Sequence, residues 1–448
     1  DEDAFLRRLA QVYWGADADA VAAAWKELAA GYQHYPLTNL FQYYGPMHDG
    51  PVWPLHLVPQ DDPLSPSWLL ASTQTREPWP PSGDRVGEAF GECLTLPEVV
   101  TLCRRISESW DRGTARLTAL VPHWGQQPER LLDIGLAEAL GIQFRSGYDI
   151  MRFYELRERL FRMDGPGRQD LLAEMAAILR REIAGDERLL DLCAADSRLG
   201  FHSEAEGYKY FPDKIRWRMA QLRGVLDRDV PAVAEAIRRG EVLFPAYTGR
   251  QPAGAVAPSR PWAETEPLWQ DPTRPFPREG ALTLCREGGP DPAACETAWF
   301  ACLRPEALYI AFSCREPAPA TPAPAGDAEP FPLFSWRGRP ALAVRLEPRR
   351  LWPCLWFAVS ANGGCSLSPS GGPEARTART ASGWQGVLRI PRELIGQRWT
   401  EADPVRIDVQ RSIPGVGVLT WMAQHPRTHR LCLGGDNPAD LGWVLPAD

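Results

Sequence analysis

The sequence predicts a multidomain α plus β protein: an N-terminal α-helical bundle with a long irregular loop, followed by a C-terminal antiparallel β-sandwich. Three observations predict it. Apolar residues recur at helical spacing up to about residue 245. Composition then turns to Pro, Ala, Gly and Thr over 246–275 (YTGRQPAGAVAPSRPWAETEPLWQDPTRPFP), with little periodicity. Beyond it, short β-branched and aromatic runs alternate with Gly, Pro and Asn clusters. The expected division is a helical domain over 1–245, a linker over 246–275 and a sandwich over 276–448, and 448 residues suit two cores.

Residues 17–31 place Val21, Trp25 and Leu28 on one helical face, with Asp17 as the expected N-cap. In TLPEVVTLCRRISESW, Thr95 and Glu98 form a capping box, and Pro97 is tolerated in the first turn. Further helices are expected over 127–163, 167–195, 212–226 and 230–239. The Pro- and aromatic-rich segment 35–90 breaks this rhythm and is too long for a plain connection. ETAWFACLRP, ALYIAFSCRE, PALAVRLEP, CLWFAVSANG, GWQGVLRIP, VRIDVQR and GVLTWMA read as strands, and 317–332 reads as a low-complexity loop.

With 57 acidic against 49 basic residues and a net charge of -8, no positive field favours nucleic acid or an anionic membrane as partner. Lysine occurs only at 26, 209 and 214; arginine supplies the other side-chain cations. The ten cysteines form no C-x-x-C pair and no Cys-His zinc spacing, so a disulfide framework is not expected and a reducing, cytoplasmic compartment is. No window of about 18 apolar residues exists. The opening DEDAFLRRLAQVYWG, without an initiating Met, reads as the inside of an amphipathic helix and so as part of a longer chain.

The strand series ALYIAFSCRE, a strand ending in SANGG, GWQGVLRIPRELIG, VRIDVQR and HRLCLGGDNPADLGW resembles the carbohydrate-binding module family 9-like, or DOMON-like, sandwich over about residues 265–448. FQYYGPMHDGPVWPL, SGDRVGE, GIQFRSGYDI and DSRLGFHSEAEGYKYFPDKIRW resemble the helical region that follows the catalytic barrel in glycoside hydrolase-like proteins, distantly of the α-glucuronidase type. The resemblance implies a carbohydrate ligand and a catalytic barrel upstream of residue 1. It implies calcium in some family 9 members, yet no D-x-D-x-D-G loop is present, and DNPAD at 436–440 reads as a turn. No metal or other cofactor is therefore expected. His425 and His429 have zinc-like i, i+4 spacing, but Pro426 opposes a helix there. A haem, as in other DOMON-like proteins, would need an axial His or Met, and Met422, His425 and His429 show no telling pattern.

Two stretches carry the candidate site. LGFHSEAEGYKYFP, 199–212, gathers His202, Glu204, Glu206, Tyr208 and Lys209. On an extended segment Glu204 and Glu206 would point the same way about 6.6 Å apart, but glycosidase carboxylates face a bond from different segments, so the pair makes a poor acid and base. They are the only catalytic candidates, and whether the chain is an enzyme stays open. A plain reading has Asp196 or Ser197 ending one helix, Gly200 and Gly207 turning the chain, and Pro212 and Asp213 starting the next. A third reading has Lys209 and the glutamates gripping sugar hydroxyls or a uronate carboxylate.

In YYGPMHDGPVW, Tyr43, Tyr44 and Trp53 are candidate stacking faces for pyranose rings, with His48 and Asp49 bonding hydroxyls. The alternative is a loop pinned by buried rings. No nucleophile accompanies His48 and Asp49, so no triad is expected. Of the 18 tryptophans, Trp336 in FSWRGRP is the candidate exposed platform, Trp384 and Trp443 are expected in the core, and Trp352 and Trp356 share a strand face. A self-contained enzyme with a cleft near 43–56 and 199–212, and a non-catalytic interaction module, are the alternatives to a carbohydrate-binding accessory region.

Overall fold

The computed structural model describes residues 1–38, 41, 45–59, 84, 86–90, 94–202, 207–250, 254–286, 295–316, 329–347, 355–367, 372–395, 404–422 and 441–446. Those up to Phe244 form one compact unit and those from Pro245 onward a second.

The first unit is helical: α1 (Glu2–Trp14), α2 (Ala18–Gly31), a single turn α3 (Pro46–Asp49), α4 (Leu96–Thr118), α5 (Val121–Trp124), α6 (Pro128–Arg162), α7 (Arg168–Ala195), α8 (Pro212–Gly224) and α9 (Val230–Arg238). Helices α2, α4, α6, α7 and α8 pack in sequence, each against the next. The capping box is present, with Thr95 N donating to Glu98 Oε2 at 2.8 Å. Asp17 occupies the N-cap position of α2 but makes no capping bond. Its carboxylate instead accepts from Trp124 Nε1 at 2.8 Å and meets His123 Nδ1 at 3.1 Å, both on α5. Ala10, Trp14, Val21, Leu117 and Ile134 close one core cluster. Val52, Leu189, Leu192, Ile215 and Met219 close another beneath the α7–α8 connection. That connection holds a two-stranded hairpin, β1 (Phe201–His202) with β2 (Gly207–Tyr208).

The second unit begins with α10 (Pro245–Thr248), β3 (Val256–Pro258), α11 (Trp262–Gln270), β4 (Leu282–Thr283), β5 (Cys285–Arg286), β6 (Thr297–Arg304) and β7 (Ala307–Arg315). It continues with β8 (Phe331–Pro332), β9 (Ala341–Glu347), β10 (Leu355–Ser360), β11 (Ser366–Leu367), β12 (Glu374–Thr380) and β13 (Gly383–Pro391). The short helix α12 (Arg392–Ile395), β14 (Val405–Ile413), β15 (Gly417–Thr420) and β16 (Gly442–Leu445) complete it. One sheet runs β10-β9-β14-β15-β5, with β16 paired to β14 and β3; the other runs β12-β13-β7-β6-β4. Alternate residues of both sheets, among them Val344 and Val409 of the first and Trp299, Phe312 and Trp384 of the second, form the core between them.

The segment expected as a linker is not one. β3 joins the first sheet in parallel with β16, Trp443 facing Val256 in register. Leu268 of α11, with Trp262 and Trp269, covers Phe300, Cys302 and Tyr309 on the outer face of the second sheet. Strands β6 and β7 are apolar on both faces and need that cover, which is why a Pro-rich stretch folds onto them. The sequence reading also omits β12, EARTART, a partly exposed edge strand with polar residues at most positions.

Candidate functional site

On the helical unit the two candidate stretches meet. α3 follows Gly45, whose φ of +106° few other residues adopt. The turn sits directly on α6. A Cβ at Gly147 would lie 2.4 Å from Met47 Sδ and 3.3 Å from the Pro46 carbonyl, so only glycine admits this approach. Gln143 Nε2 donates to the Met47 carbonyl at 2.8 Å, and Gly45 N donates to Asp49 Oδ2 at 3.0 Å. We expect Gly147→Ala to cost about 1–3 kcal/mol in urea unfolding, because the added methyl pushes the turn off its seat.

Around this turn gather Tyr35, His48, Asp49, His202, Lys209 and Lys214. The Tyr35 hydroxyl lies 3.0 Å from His48 Nε2, and the His48 and His202 rings are 5.9 Å apart and inclined at 71°. Lys209 Nζ is 3.9 Å from Asp49 Oδ1. Asp49 is fully buried, and burial raises its carboxyl against the opposing pull of Lys209 and Lys214. Burial likewise lowers the Lys214 ammonium to about 8, with Asp49 opposing the shift and Lys209 adding to it. Two of the chain's three lysines are thus buried beside one carboxylate. Phenol, imidazole, carboxylate and ammonium together offer the mixed donors and acceptors that hydroxyl groups require. The nearby thiol, Cys103, contacts Met47 Sδ at 3.6 Å and is pushed up by burial, so it is no nucleophile.

The hairpin supplies the exposed aromatic faces. Gly200, at φ +81°, turns the chain where a Cβ would strike the Tyr210 carbonyl. Lys209 N then donates to the Gly200 carbonyl at 2.8 Å. Phe201 and Tyr208 face each other across the strands, ring centroids 5.5 Å apart, and remain 54% and 36% exposed. The Tyr208 hydroxyl donates to the Ser197 carbonyl at 2.9 Å, which fixes its ring.

Several expectations need correction. Trp53 is fully buried and offers no stacking face; its carbonyl accepts from Arg218 Nε at 2.7 Å, tying the loop to α8. Trp336 is only 4% exposed, because a 3-10 turn over Leu333–Gly338 folds its ring against Phe331, Ala343 and Ala358. The plain features of 196–213 also occur: Asp196 caps α7, and Pro212 and Asp213 open α8. Tyr43, Tyr44, Glu204, Glu206, Trp352, His425, His429 and 436–440 lie outside the described residues. Sequence reasoning missed Tyr35, Lys214 and the Phe201–Tyr208 pair; the rarity of lysine was the available signal for Lys214.

The sandwich carries a second polar set, on the face of its first sheet turned away from the core. Register places Trp356, Arg345 and Asp408 in one row, and Ala358, Ala343, Gln410 and Thr420 in the next. The Arg345 guanidinium lies 5.7 Å from the Trp356 ring centre, and Arg406 lies 5.1 Å from that of Trp443. Trp443 is buried, as expected, but on this face, whereas Trp384 lies in the core between the sheets. Asp408 accepts from Gln410 Nε2 at 2.6 Å and Thr420 Oγ1 at 2.8 Å. Gln410 Oε1 is buried without a hydrogen-bond donor among the described residues. Among those residues no three His, Cys, Asp or Glu side chains converge as a metal donor set would, and no helix is long and apolar enough to cross a membrane.

No protein-family model matches the sequence, and no curated protein matches it. Solved structures do show similarity. A family 9 carbohydrate-binding module from Caldicellulosiruptor kristjanssonii in complex with cellotriose is 11% identical, with a TM-score of 0.29 over 43% of this chain and 94% of that one. The module from the same organism in complex with glucose is 12% identical, with a TM-score of 0.30 over 43% of this chain and 95% of that one.

Proposed function

We propose that the chain is the carbohydrate-binding, accessory region of a glycoside hydrolase-like protein, and that a saccharide docks on the helical unit across the β1–β2 hairpin. One observation carries this reading. The hairpin that exposes the Phe201 and Tyr208 rings also brings His202 and Lys209 to His48 and Asp49. Aromatic faces suit the C–H faces of a pyranose, and the polar cluster suits its hydroxyls. Each hydroxyl exchanges water for protein, so the affinity of such a site is modest. The resemblance of the strand series to family 9 modules supports the same substrate class.

A glycan array probed with the whole chain tests the reading. Titration of any hit should show about a 5- to 10-fold loss of affinity in Phe201→Ala, the scale of one stacking contact, with little change in melting temperature. Unaltered affinity in Phe201→Ala and in Tyr208→Ala would contradict it. Buried Arg345 and Asp408, in one row with half-buried Trp356, and buried Gln410 in the next row favour a second saccharide site on the sandwich.

A further inference from the structure

A cavity of about 320 Å³ opens between α4, α6 and α7, at the lower end of the range of small-molecule pockets. Its floor is formed by Ser146, Glu182 and Asp186, and Gly141 and Gly185 leave it open. The floor is built rather than incidental. Glu182 and Asp186 are 4% and 1% exposed, and both are held by the fully buried Arg218. Ser146 Oγ donates to Glu182 at 2.5 Å. Beside Glu182 lies buried Asp149, which Arg181 holds at 2.5 and 3.1 Å.

On the rim Arg145 pairs with Asp111, and Arg188 grips Glu138 through two contacts of 2.7 Å. Five carboxylates, Asp111, Glu138, Asp149, Glu182 and Asp186, therefore face four guanidinium groups, Arg145, Arg181, Arg188 and Arg218. Glu187, paired outward with Arg223, the Tyr148 phenol and Asp191 beside Arg188 are further titratable neighbours, and Arg152, Glu174 and Arg104 act on Tyr148. At the cavity floor two buried carboxylates, Glu182 and Asp186, share one buried guanidinium, Arg218, and such a buried excess of negative charge is costly unless a proton or another cation neutralises it. In keeping with this, burial and the neighbouring Glu182 raise Asp149 to about 7 and Asp186 to about 8.

We propose that this cavity binds a small organic ammonium compound, whose charge pairs with the Glu182 and Asp186 carboxylates at its floor. Binding forms no covalent bond, and the proton that Asp186 holds below about pH 8 leaves to solvent.

The test titrates the whole chain with 4-amino-1-butanol and with its neutral counterpart 1,4-butanediol at about pH 6 and about pH 8.5, by calorimetry in two buffers of different ionisation enthalpy. The amine should bind roughly 10-fold more tightly at the higher pH and release close to one proton at the lower, by linkage of one displaced proton. The diol should bind neither strongly nor with pH dependence. In Gly185→Leu the new side chain starts at ordinary contact distance from Ile142, 3.5 Å, and fills the cavity. That variant should fold and lose amine binding, and Asp186→Asn should lose the pH dependence. Equal binding of amine and diol, no saturation by the amine at about 20 mM, or full binding in a folded Gly185→Leu would each overturn the proposal.

Discussion

Arg218→Met is expected to destabilise the helical unit by about 3–5 kcal/mol, the cost of leaving buried charges without their partner. Arg218 is fully buried; it donates to Asp186 at 3.0 and 3.1 Å, to Glu182, and to the Trp53 carbonyl at 2.7 Å. Methionine fills the volume but leaves two carboxylates and a carbonyl unpaired. The loss depends on pH with a definite sign. The Asp186 carboxyl, raised to about 8 by burial, holds more protons folded than unfolded between about pH 4 and 8, so its contribution to stability falls as pH rises through that window. Without the guanidinium the carboxyl rises further, so the loss is largest above pH 8 and smaller near pH 5. Urea unfolding at both values checks this, and Arg218→Met combined with Asp186→Asn should recover part of the loss. Equal destabilisation at pH 5 and 8.5 would contradict the electrostatic account.

Asp49→Ala is the second large effect, about 3 kcal/mol near pH 7, since it leaves Lys209 and Lys214 buried beside each other without their carboxylate. Here the sign is reversed. Lys214 is lowered to about 8 in the folded protein, so between about pH 8 and 10.5 the unfolded chain binds more protons and stability rises with pH. Asp49 opposes that lowering, so its removal drops the Lys214 value further. The variant's deficit should therefore shrink as pH is raised from 7 to about 10. Lys214→Met in the Asp49→Ala background should restore part of the stability at pH 7, as an apolar side chain replaces a buried ammonium that has lost the Asp49 carboxylate.

Helix limits were legible because they depend on local periodicity and chain punctuation. The expected 167–195 and 230–239 fall within a residue or so of Arg168–Ala195 and Val230–Arg238, and the Thr95–Glu98 box is set by neighbours three apart. The strands from ETAWFACLRP to GVLTWMA were legible for the same reason. What escaped depends on distant partners. Helix α11 exists because strands β6 and β7 present an apolar outer face to cover, which its own Pro-rich sequence does not announce. Trp336 sits in a loop-like context, yet alanines at 341, 343 and 358 leave room for its ring. Trp53 was read as a shelf, although Arg218, 165 residues away, draws its backbone inward. At the site, the sequence placed His48, Asp49, His202 and Lys209 on two separate stretches, and the structure brings them together. Tyr35 and Lys214 join them only through tertiary packing, and the exposure of Phe201 and Tyr208 follows from hairpin register.

The six methionines provide the most direct test of where a saccharide binds. Met47 lies beneath the helical site, against Cys103, while the Met422 amide bonds Asp408 on the sandwich face. With methyl-labelled methionine and a saccharide taken from the array, the Met47 resonance should shift saturably, and the shift should weaken in Phe201→Ala. A saturable shift confined to Met422, with Met47 unmoved, would contradict a carbohydrate site on the helical unit.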